Sequence, residues 1–169
     1  PELIDKLKTG QSIALVCDGG TPLISDPGWR MVQQALDEQV PVSWLPGPTA
    51  LIGGLVLSGL PTDRFVFEGF LPVKPGARRK RLEALKGESR TVIVYESPHR
   101  LLKMLRDLRE VVGDVPAACG RELTKMFEEV RRGKTSELIA HFEQHPPRGE
   151  FVLVFCTTTN HERRTTNDE

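Results

Sequence analysis

The stretch from Ile13 to Gly28, IALVCDGGTPLISDPG, places the tightest limit on how this chain can fold. Its first part, Ile13 to Val16, is a short apolar run without alternation, which predicts a buried parallel strand. The Gly19-Gly20 pair follows, and glycines let a backbone approach a ligand closely. Asp26-Pro27 then predicts a helix start, with Asp26 as the N-cap. In open α/β sheets ligands lie at such strand ends, although a tight turn without a ligand explains the pattern equally well.

The composition indicates a globular chain with one substantial core or two small ones. Of its 169 residues, 38% are hydrophobic and 27% are charged. A formal net charge of +0 restricts nucleic-acid binding to local patches. The three cysteines, Cys17, Cys119 and Cys156, follow small or apolar residues and are interpreted as core residues. Their sparse, odd number favours a reducing cytoplasm, and the glycine-rich run from Leu51 to Leu60 is too short to span a membrane.

The first part of the chain predicts a βαβ unit. A charged helix covers Pro1 to Lys8, and an amphipathic helix follows the glycine loop and continues to about Gln39. A second apolar run, Val42 to Leu45, predicts the next parallel strand. A rigid Pro46-Gly47-Pro48 turn then leads to an apolar helix from Ala50 to Ser58, which Thr49 can cap.

Two strands and a basic helix follow the joint at residues 59–62. The alternation from Arg64 to Phe70 predicts one strand, and the β-branched run from Thr91 to Tyr95 predicts another. The helix from Ala77 to Lys86 carries the densest positive cluster, Arg78 to Arg81, which indicates either a solvated face or a contact with a phosphate backbone.

Glu96 follows the predicted strand Thr91 to Tyr95 and stands beside a helix start at Ser97-Pro98. A carboxylate there is either a partner of the helix dipole or a ligand contact. His99, in the first turn, is more typical of a surface or capping residue than of a base. Two further strands are predicted, at Val115–Cys119 and Met126–Val130, and a helix begins at Thr135 or Ser136. The last strand is predicted at Phe151–Cys156, and Thr157–Glu169 is predicted to be a mobile tail.

Five motifs occur in order along nearly the whole chain. Together they resemble the tetrapyrrole methylase superfamily of S-adenosylmethionine-dependent methyltransferases, and within it a subfamily that methylates small-subunit ribosomal RNA. Each motif alone is weak, and Cys17 stands where a serine or similar small residue is usual. The motifs are LVCDGGTPLISDPG at Leu15–Gly28, LPGPTA at Leu45–Ala50, GLPTDRFVFEGFLP at Gly59–Pro72, YESPHR at Tyr95–Arg100 and RELTK at Arg121–Lys125.

The resemblance implies a two-domain α/β fold. Residues 1–60 would form a partial parallel-sheet first domain, 61–157 a mixed-sheet second domain, and 158–169 a mobile tail. The family begins with a further strand and a proline- and glycine-containing loop, neither of which precedes Pro1, so we expect this chain to be the middle of a longer protein. The family also implies a cytoplasmic homodimer with S-adenosyl-L-methionine in the cleft between its domains.

The resemblance also assigns residues to the cofactor. Backbone groups, rather than charged side chains, are expected to do most of the holding. The implied cofactor contacts are Asp18, Gly19, Gly20, Thr21, Ile24, Thr49, Ala50, Glu96 and Leu123.

The implied acceptor is the ribose 2′-hydroxyl of a cytidine in small-subunit ribosomal RNA, within the assembled subunit. The candidate catalytic residues are Glu96, Arg100, Arg121, Glu122 and Lys125. Our hypothesis is that the three cations hold an RNA phosphate or polarise the hydroxyl while Glu122 orients them. Structural ion pairs explain Arg121 and Glu122 equally well. The clusters Arg78–Arg81 and Arg131–Lys134 are the predicted RNA contacts.

Two other functions stay open at the level of the sequence. The same fold could methylate a tetrapyrrole or a protein side chain, although the YESPHR and RELTK motifs argue against this. Alternatively, the chain is an inactive binding or dimerisation fragment. The sequence contains no spacing of cysteine and histidine typical of a metal site.

Overall fold

Contacts divide the chain into a first unit, Pro1–Thr49, and a second unit, Ala50–Glu169. The structure is a computed structural model that describes residues 2–157, and the predicted mobile tail at 158–169 lies outside them. The boundary predicted between residues 60 and 61 stays a prediction. The helix at Ala50–Ser58 belongs by its contacts to the second unit.

The first unit contains two helices, α1 at Glu2–Lys8 and α2 at Trp29–Asp37. The strands predicted at Ile13–Val16 and Val42–Leu45 are not present, so the prediction of a partial parallel sheet here is wrong for the described residues. A strand exists only when its backbone groups pair with a neighbour, and no described strand pairs with either run. Both runs lack regular secondary structure, and Leu45 is 88% exposed.

Helix α2 begins later than the sequence indicates. Its N-cap is Gly28, with φ 126°, instead of Asp26. A Cβ atom on Gly28 would come 2.7 Å from Leu15 Cδ2, so only glycine allows Leu15 to pack here. This long-range contact, rather than the local Asp-Pro signal, sets the start of the helix.

A five-stranded sheet organises the second unit, with the strand order β1-β2-β5-β3-β4. The strands β1 and β2 are parallel and all other neighbours are antiparallel, which confirms the predicted mixed sheet. The strand bounds are Phe65–Phe70 for β1, Thr91–Glu96 for β2, Pro116–Arg121 for β3, Glu129–Lys134 for β4 and Phe151–Phe155 for β5.

Strand β4 lies three residues beyond its predicted start at Met126. Residues 122–128 form a turn, and pairing begins where Arg121 meets Glu129. The Glu128 carboxylate accepts a 2.6 Å hydrogen bond from the Thr124 N–H, which closes the turn and keeps its residues out of the ladder. Arg131 to Lys134 therefore lie within the strand, whereas the sequence suggested a position after it.

Four helices cover the two faces of the sheet: α3 at Ala50–Ser58, α4 at Pro75–Leu85, α5 at Pro98–Val111 and α6 at Thr135–Gln144. One face packs against α4, α5 and α6 through a large core that includes Leu82, Leu105 and Leu138. The other face carries Ile93, Val152 and Val154 against α3. Every residue of β5 is buried, since this strand lies at the centre of the sheet.

Helix α3 approaches the sheet most closely at Gly54. A Cβ atom there would lie 2.5 Å from Val152 Cγ1, whereas a Cβ on Gly53 would lie 3.5 Å from Leu123 Cδ1. Alanine favours a helix over glycine by about 0.5–1 kcal/mol, and overpacking a core costs roughly 1–3 kcal/mol. We therefore expect Gly53→Ala to raise the free energy of unfolding and Gly54→Ala to lower it by about 1–2 kcal/mol.

Urea unfolding of the two variants measures this difference. Adding Val152→Ala to Gly54→Ala removes the methyl groups that clash and should recover part of the loss. Equal effects of the two alanine substitutions would contradict the close approach.

Candidate functional site

The glycine loop of the first unit offers an open stretch of backbone. A Cβ atom on Gly19 would meet nothing within 4 Å, and one on Gly20 would meet only Pro48 O at 3.9 Å. Gly20 has φ 78°, in the left-handed region that favours glycine. Asp18 is exposed beside the pair. The loop thus presents exposed backbone that a side chain at Gly19 or Gly20 would begin to cover.

Hydrogen bonds join the glycine loop to the residues that end the first unit. The Thr21 hydroxyl donates to Pro48 O at 3.1 Å and lies 2.6 Å from the Thr49 hydroxyl. The structure therefore brings together two predicted cofactor residues that are 28 positions apart in the sequence. Ile24 follows in a turn, where its N–H donates to Thr21 O at 3.4 Å and its side chain is 38% exposed.

Cys17 supports this loop instead of lying in a core. Its thiol donates to Gly19 O at 3.4 Å and to Gly20 O at 3.5 Å, and the residue is only half-buried. The sequence interpretation of Cys17 as a core residue is therefore wrong. Cys119 and Cys156 are buried as predicted, and burial raises the pKa of the Cys119 thiol.

Glu96 ends strand β2 and is buried, with 2% exposure. Its Oε1 accepts a hydrogen bond from the Ser97 N–H at 2.8 Å and lies 3.2 Å from Arg100 Nε. Burial raises the pKa of the Glu96 carboxyl, while the Ser97 N–H and the charges of Arg100 and Arg78 act in the opposite direction. A buried carboxyl at a strand end is a candidate for proton handling or for ligand binding.

Arg100 connects this carboxyl to the loop after β1. Its Nη2 donates to Leu71 O at 2.7 Å, and its side chain is 21% exposed. Its buried Nε lies within ion-pair distance of Glu96 but has no well-directed hydrogen bond among the described residues. Arg100 therefore holds two strand ends together, and little of its charge reaches solvent.

Hydrogen bonds and ion pairs join the RELTK segment, Arg121–Lys125, to residues 148–150. Glu122 donates its N–H to Glu150 O at 3.0 Å and accepts the Glu150 N–H on Oε1 at 2.8 Å. Lys125 Nζ lies 2.8 Å from Glu150 Oε2 and 3.2 Å from Glu122 Oε1. The bonds from the Glu150 N–H and from Lys125 lower the pKa of the Glu122 carboxyl. Arg121 Nε donates to Arg148 O at 2.8 Å.

The structure thus brings Arg121, Glu122 and Lys125 together, as the sequence predicts. Each takes part in contacts within the protein, which agrees with the structural alternative as well as with the hypothesis that Glu122 orients the cations. Lys125 keeps half of its side chain exposed (50%), and Arg121 keeps 28%. Leu123 packs against the apolar cluster that includes Leu51 and Val152.

The run Arg78–Arg81 is mostly neutralised by carboxylates. Arg78 is buried and pairs with Asp107, so the prediction of a solvated or RNA-binding face is wrong at this position. Arg79 bonds Asp107 and Glu110, and Arg81 bonds Glu68. Among the described residues, Lys80 is the one member of the run with no ion pair.

In the second cluster, Arg131 pairs with Glu129 at 2.5 Å, and Arg132 donates from Nε to Leu57 O at 2.7 Å. Neither guanidinium is buried.

His99 is exposed in the first turn of α5. Within residues 2–157 no group of histidine, cysteine and carboxylate residues could hold a metal ion, and no helix there is long and apolar enough to cross a membrane.

Tyr95 is a residue of this region to which the sequence pattern assigns no role. Its phenolic oxygen accepts a 3.1 Å hydrogen bond from the Leu51 N–H in the first turn of α3, next to Ala50, which is exposed. Its ring contacts Phe67 and Phe70 edge-on at 4.9 Å and 5.7 Å. The available sequence signal was an aromatic residue with a polar tip at the end of the predicted strand, next to Glu96.

The buried Glu96 predicts a pH dependence of stability. Because its folded pKa is raised, the protonated carboxyl stabilises the fold below the unfolded value of about 4.3, and this contribution is lost as the pH rises through the folded pKa. Glu96→Gln keeps an acceptor for the Ser97 N–H but cannot titrate. We expect its free energy of unfolding to rise relative to the wild type between pH 4 and neutrality.

Urea unfolding across that range measures the difference. Glu83→Gln, at a side chain that is 64% exposed on α4, is the matched control and should run parallel to the wild type. A constant difference between Glu96→Gln and the wild type would show that the carboxyl has the same pKa folded and unfolded.

Comparison with known proteins places these features in a family. The family profile of Tetrapyrrole (Corrin/Porphyrin) Methylases matches residues 2–139. The solved structures with a similar fold include the methyltransferase CobJ, with a TM-score of 0.66 and 15% identity over 92% of this chain and 68% of that one. Another is a uroporphyrin-III C-methyl transferase from Thermus thermophilus complexed with S-adenyl homocysteine, with a TM-score of 0.54 and 22% identity. The match covers 80% of this chain and 62% of that one. At these identities the likeness shows the fold alone.

Several proteins share a much higher sequence identity with this chain than these solved structures do. Ribosomal RNA small subunit methyltransferase I of Thermotoga maritima is 45% identical over 90% of this chain and 68% of its own length. The proteins of that name from Synechocystis sp. and Mesorhizobium japonicum are 47% and 50% identical, over 99% and 90% of this chain. This chain covers 61% and 53% of their lengths. The chain therefore belongs to the tetrapyrrole (corrin/porphyrin) methylase family, as a relative of ribosomal RNA small subunit methyltransferase I.

Proposed function

We propose that this chain is part of an S-adenosyl-L-methionine-dependent methyltransferase that acts on small-subunit ribosomal RNA. The names of its relatives support the reaction and the substrate class. The observation on this chain that supports the proposal is the open glycine loop, where the Thr21 hydroxyl is hydrogen-bonded to Pro48 and Thr49.

The glycine loop fits a cofactor that is held by backbone groups. Gly19 and Gly20 leave the backbone open where side chains would otherwise stand, so a ligand can approach its N–H and C=O groups closely. In this proposal Asp18 to Thr21, Ile24 and Thr49 hold the cofactor within the first unit. Ala50, Glu96 and Leu123 are the contacts that the family resemblance adds. The bound cofactor would supply an activated methyl group, and the protein would supply placement.

The proposed acceptor is the ribose 2′-hydroxyl of a cytidine. A hydroxyl is a weak nucleophile, so a nearby base or cation lowers the barrier. Lys125 and Arg121 are suited to contact a phosphate or the hydroxyl, because part of each side chain is exposed. Glu122 would orient Lys125 through the 3.2 Å contact between them. Glu96 and Arg100 would position the strand ends.

The setting of the proposed reaction is the one that the family resemblance implies. We infer a cytoplasmic homodimer that meets its substrate as ribosomal RNA within the assembled small subunit. The whole enzyme is longer than this chain in the relatives described above, so the activity is proposed for the protein to which these residues belong.

Calorimetric titration of the 169-residue chain with S-adenosylhomocysteine tests the proposal first. Micromolar binding is the expected result, and methyl transfer from S-adenosylmethionine to small ribosomal subunits is then measured with the same chain. Absence of binding by a chain that unfolds cooperatively in urea would overturn the assignment of the cofactor site to these residues. Binding of cofactor with methylation of a protein or a tetrapyrrole instead would overturn the RNA substrate.

A further inference from the structure

The turn between β3 and β4, residues 122–128, presents two adjacent apolar side chains to solvent. Met126 is 90% exposed, the highest value for a large apolar side chain in the described part of the chain, and Phe127 is 65% exposed. Contiguous exposed apolar side chains mark interaction sites more often than scattered ones do, and Met126 and Phe127 are neighbours in the sequence. We name this segment the β3–β4 turn.

Hydrogen bonds hold the turn in one shape. Within it, the Thr124 N–H bonds the Glu128 carboxylate at 2.6 Å and the Glu128 N–H bonds Lys125 O at 3.1 Å. At the base of the turn, Glu122 makes two hydrogen bonds with the backbone of Glu150, as described above. Phe127 is therefore presented by a braced segment, and binding through it costs little conformational entropy.

The strand that follows the turn, β4, carries two consecutive arginines. Arg131 and Arg132 lie on the exposed edge strand β4, and the Arg131 side chain is 53% exposed. Among the described residues, Glu129 is the carboxylate that pairs with Arg131, whereas Arg132 donates to a carbonyl, Leu57 O, and pairs with no carboxylate. An aromatic side chain beside a basic strand is the combination that binds unpaired nucleic acid.

The size of the apolar surface limits which kind of partner can bind to it. One large aromatic side chain buries about 150–250 Å² when it is covered, whereas a stable protein interface needs about 800 Å² on each partner. Met126 and Phe127 alone are too small for a second copy of the chain, but Phe127 matches the face of one base. We propose that Phe127 stacks on an unpaired base of the RNA substrate, with Met126 beside it and Arg132 on a neighbouring phosphate. This proposal rests on the proposed function for the class of nucleic acid.

Fluorescence anisotropy of a labelled, single-stranded 12-nucleotide oligocytidine RNA, bound to the 169-residue chain, tests the proposal. Alanine in place of a stacking residue weakens binding by about 5- to 140-fold per base, so Phe127→Ala should do so while Phe127→Trp retains binding. Val73→Ala, at another exposed apolar side chain of the second unit (71% exposed), is the control and should bind as the wild type. Both alanine variants should keep the wild-type melting temperature, because the side chains are exposed.

A salt series separates stacking from charge. Phe127→Ala should leave the slope of log K against log salt unchanged, whereas Arg132→Ala should reduce it by about 0.7. Wild-type affinity in Phe127→Ala, or an equal loss in Val73→Ala, overturns the proposal. So does a change in oligomeric state of Phe127→Ala with unchanged RNA binding.

The same variants distinguish this failure from failure of the proposed function. Phe127→Ala should bind S-adenosylhomocysteine like the wild type, since Phe127 is not among the proposed cofactor contacts. If the wild type binds the cofactor product but Phe127 has no effect on RNA binding, only the stacking proposal fails. If Phe127 controls RNA binding in a chain that does not bind the cofactor product, only the cofactor assignment fails.

Discussion

Asp107→Ala is expected to lower the free energy of unfolding by about 3–5 kcal/mol, the usual cost of removing one partner of a buried ion pair. The side chains of Arg78 and Asp107 are 5% and 9% exposed. Asp107 Oδ2 accepts the Arg78 Nε–H at 2.6 Å, and Oδ1 accepts the Arg79 Nε–H at 2.9 Å. Without the carboxylate, Arg78 stays buried and, among the described residues, keeps one hydrogen bond, to Val73 O at 3.2 Å.

Two further variants show that the loss comes from an unpaired buried charge. Glu110→Ala removes the exposed partner of Arg79 and should change stability by less than about 1 kcal/mol. The double variant Arg78→Met with Asp107→Leu removes both charges and should recover most of the loss. Urea unfolding measures all three. A double variant as unstable as Asp107→Ala would mean that the carboxylate is needed for another reason than Arg78.

Gly20→Ala is expected to weaken the binding of S-adenosylhomocysteine by about 10- to 100-fold, equivalent to roughly 1.4–2.8 kcal/mol. The new Cβ atom would stand in the open space above the loop, where the proposed ligand approaches the backbone. It would also strain a residue with φ 78°, at a cost of about 1–2 kcal/mol in stability.

Gly10→Ala separates the two effects. Gly10 lies in the same unit with φ 86°, and a Cβ atom there would meet nothing within 4 Å. Both substitutions should therefore lower stability similarly, but only Gly20→Ala should lower the affinity measured by calorimetry. Equal affinities in the two variants would remove the glycine loop from the cofactor site.

The elements that the sequence predicts well are those whose pattern is local. The β-branched run at Thr91–Tyr95 and the apolar run at Phe151–Cys156 are both strands in the structure, within one residue of the predicted bounds. The family resemblance, carried by motifs in order, is confirmed by the comparisons and by the mixed α/β fold.

The predictions that failed depend on contacts far apart in the sequence. Ile13–Val16 has the apolarity of a strand, but apolarity does not specify a partner strand. Arg78 was grouped with three other cations, although it occupies the same helical face as Leu82 and Leu85, which are buried. That spacing was a signal of burial. Its partner Asp107, 29 residues away, could not be identified from the helix alone.

The position of β5 has a consequence for the order in which the second unit folds. This strand is the last of the five in the sequence, yet it lies between β2 and β3 and pairs with both. The residues of the parallel pair β1-β2 and of the hairpin β3-β4 are synthesised before β5, and no ladder hydrogen bond joins the two pairs until β5 arrives. On a translating ribosome, which adds about 5–20 residues per second, the two half-sheets would wait for residues 151–155 with their inner edges unpaired. Synthesis of this short segment would therefore be the step that commits the unit to its native topology.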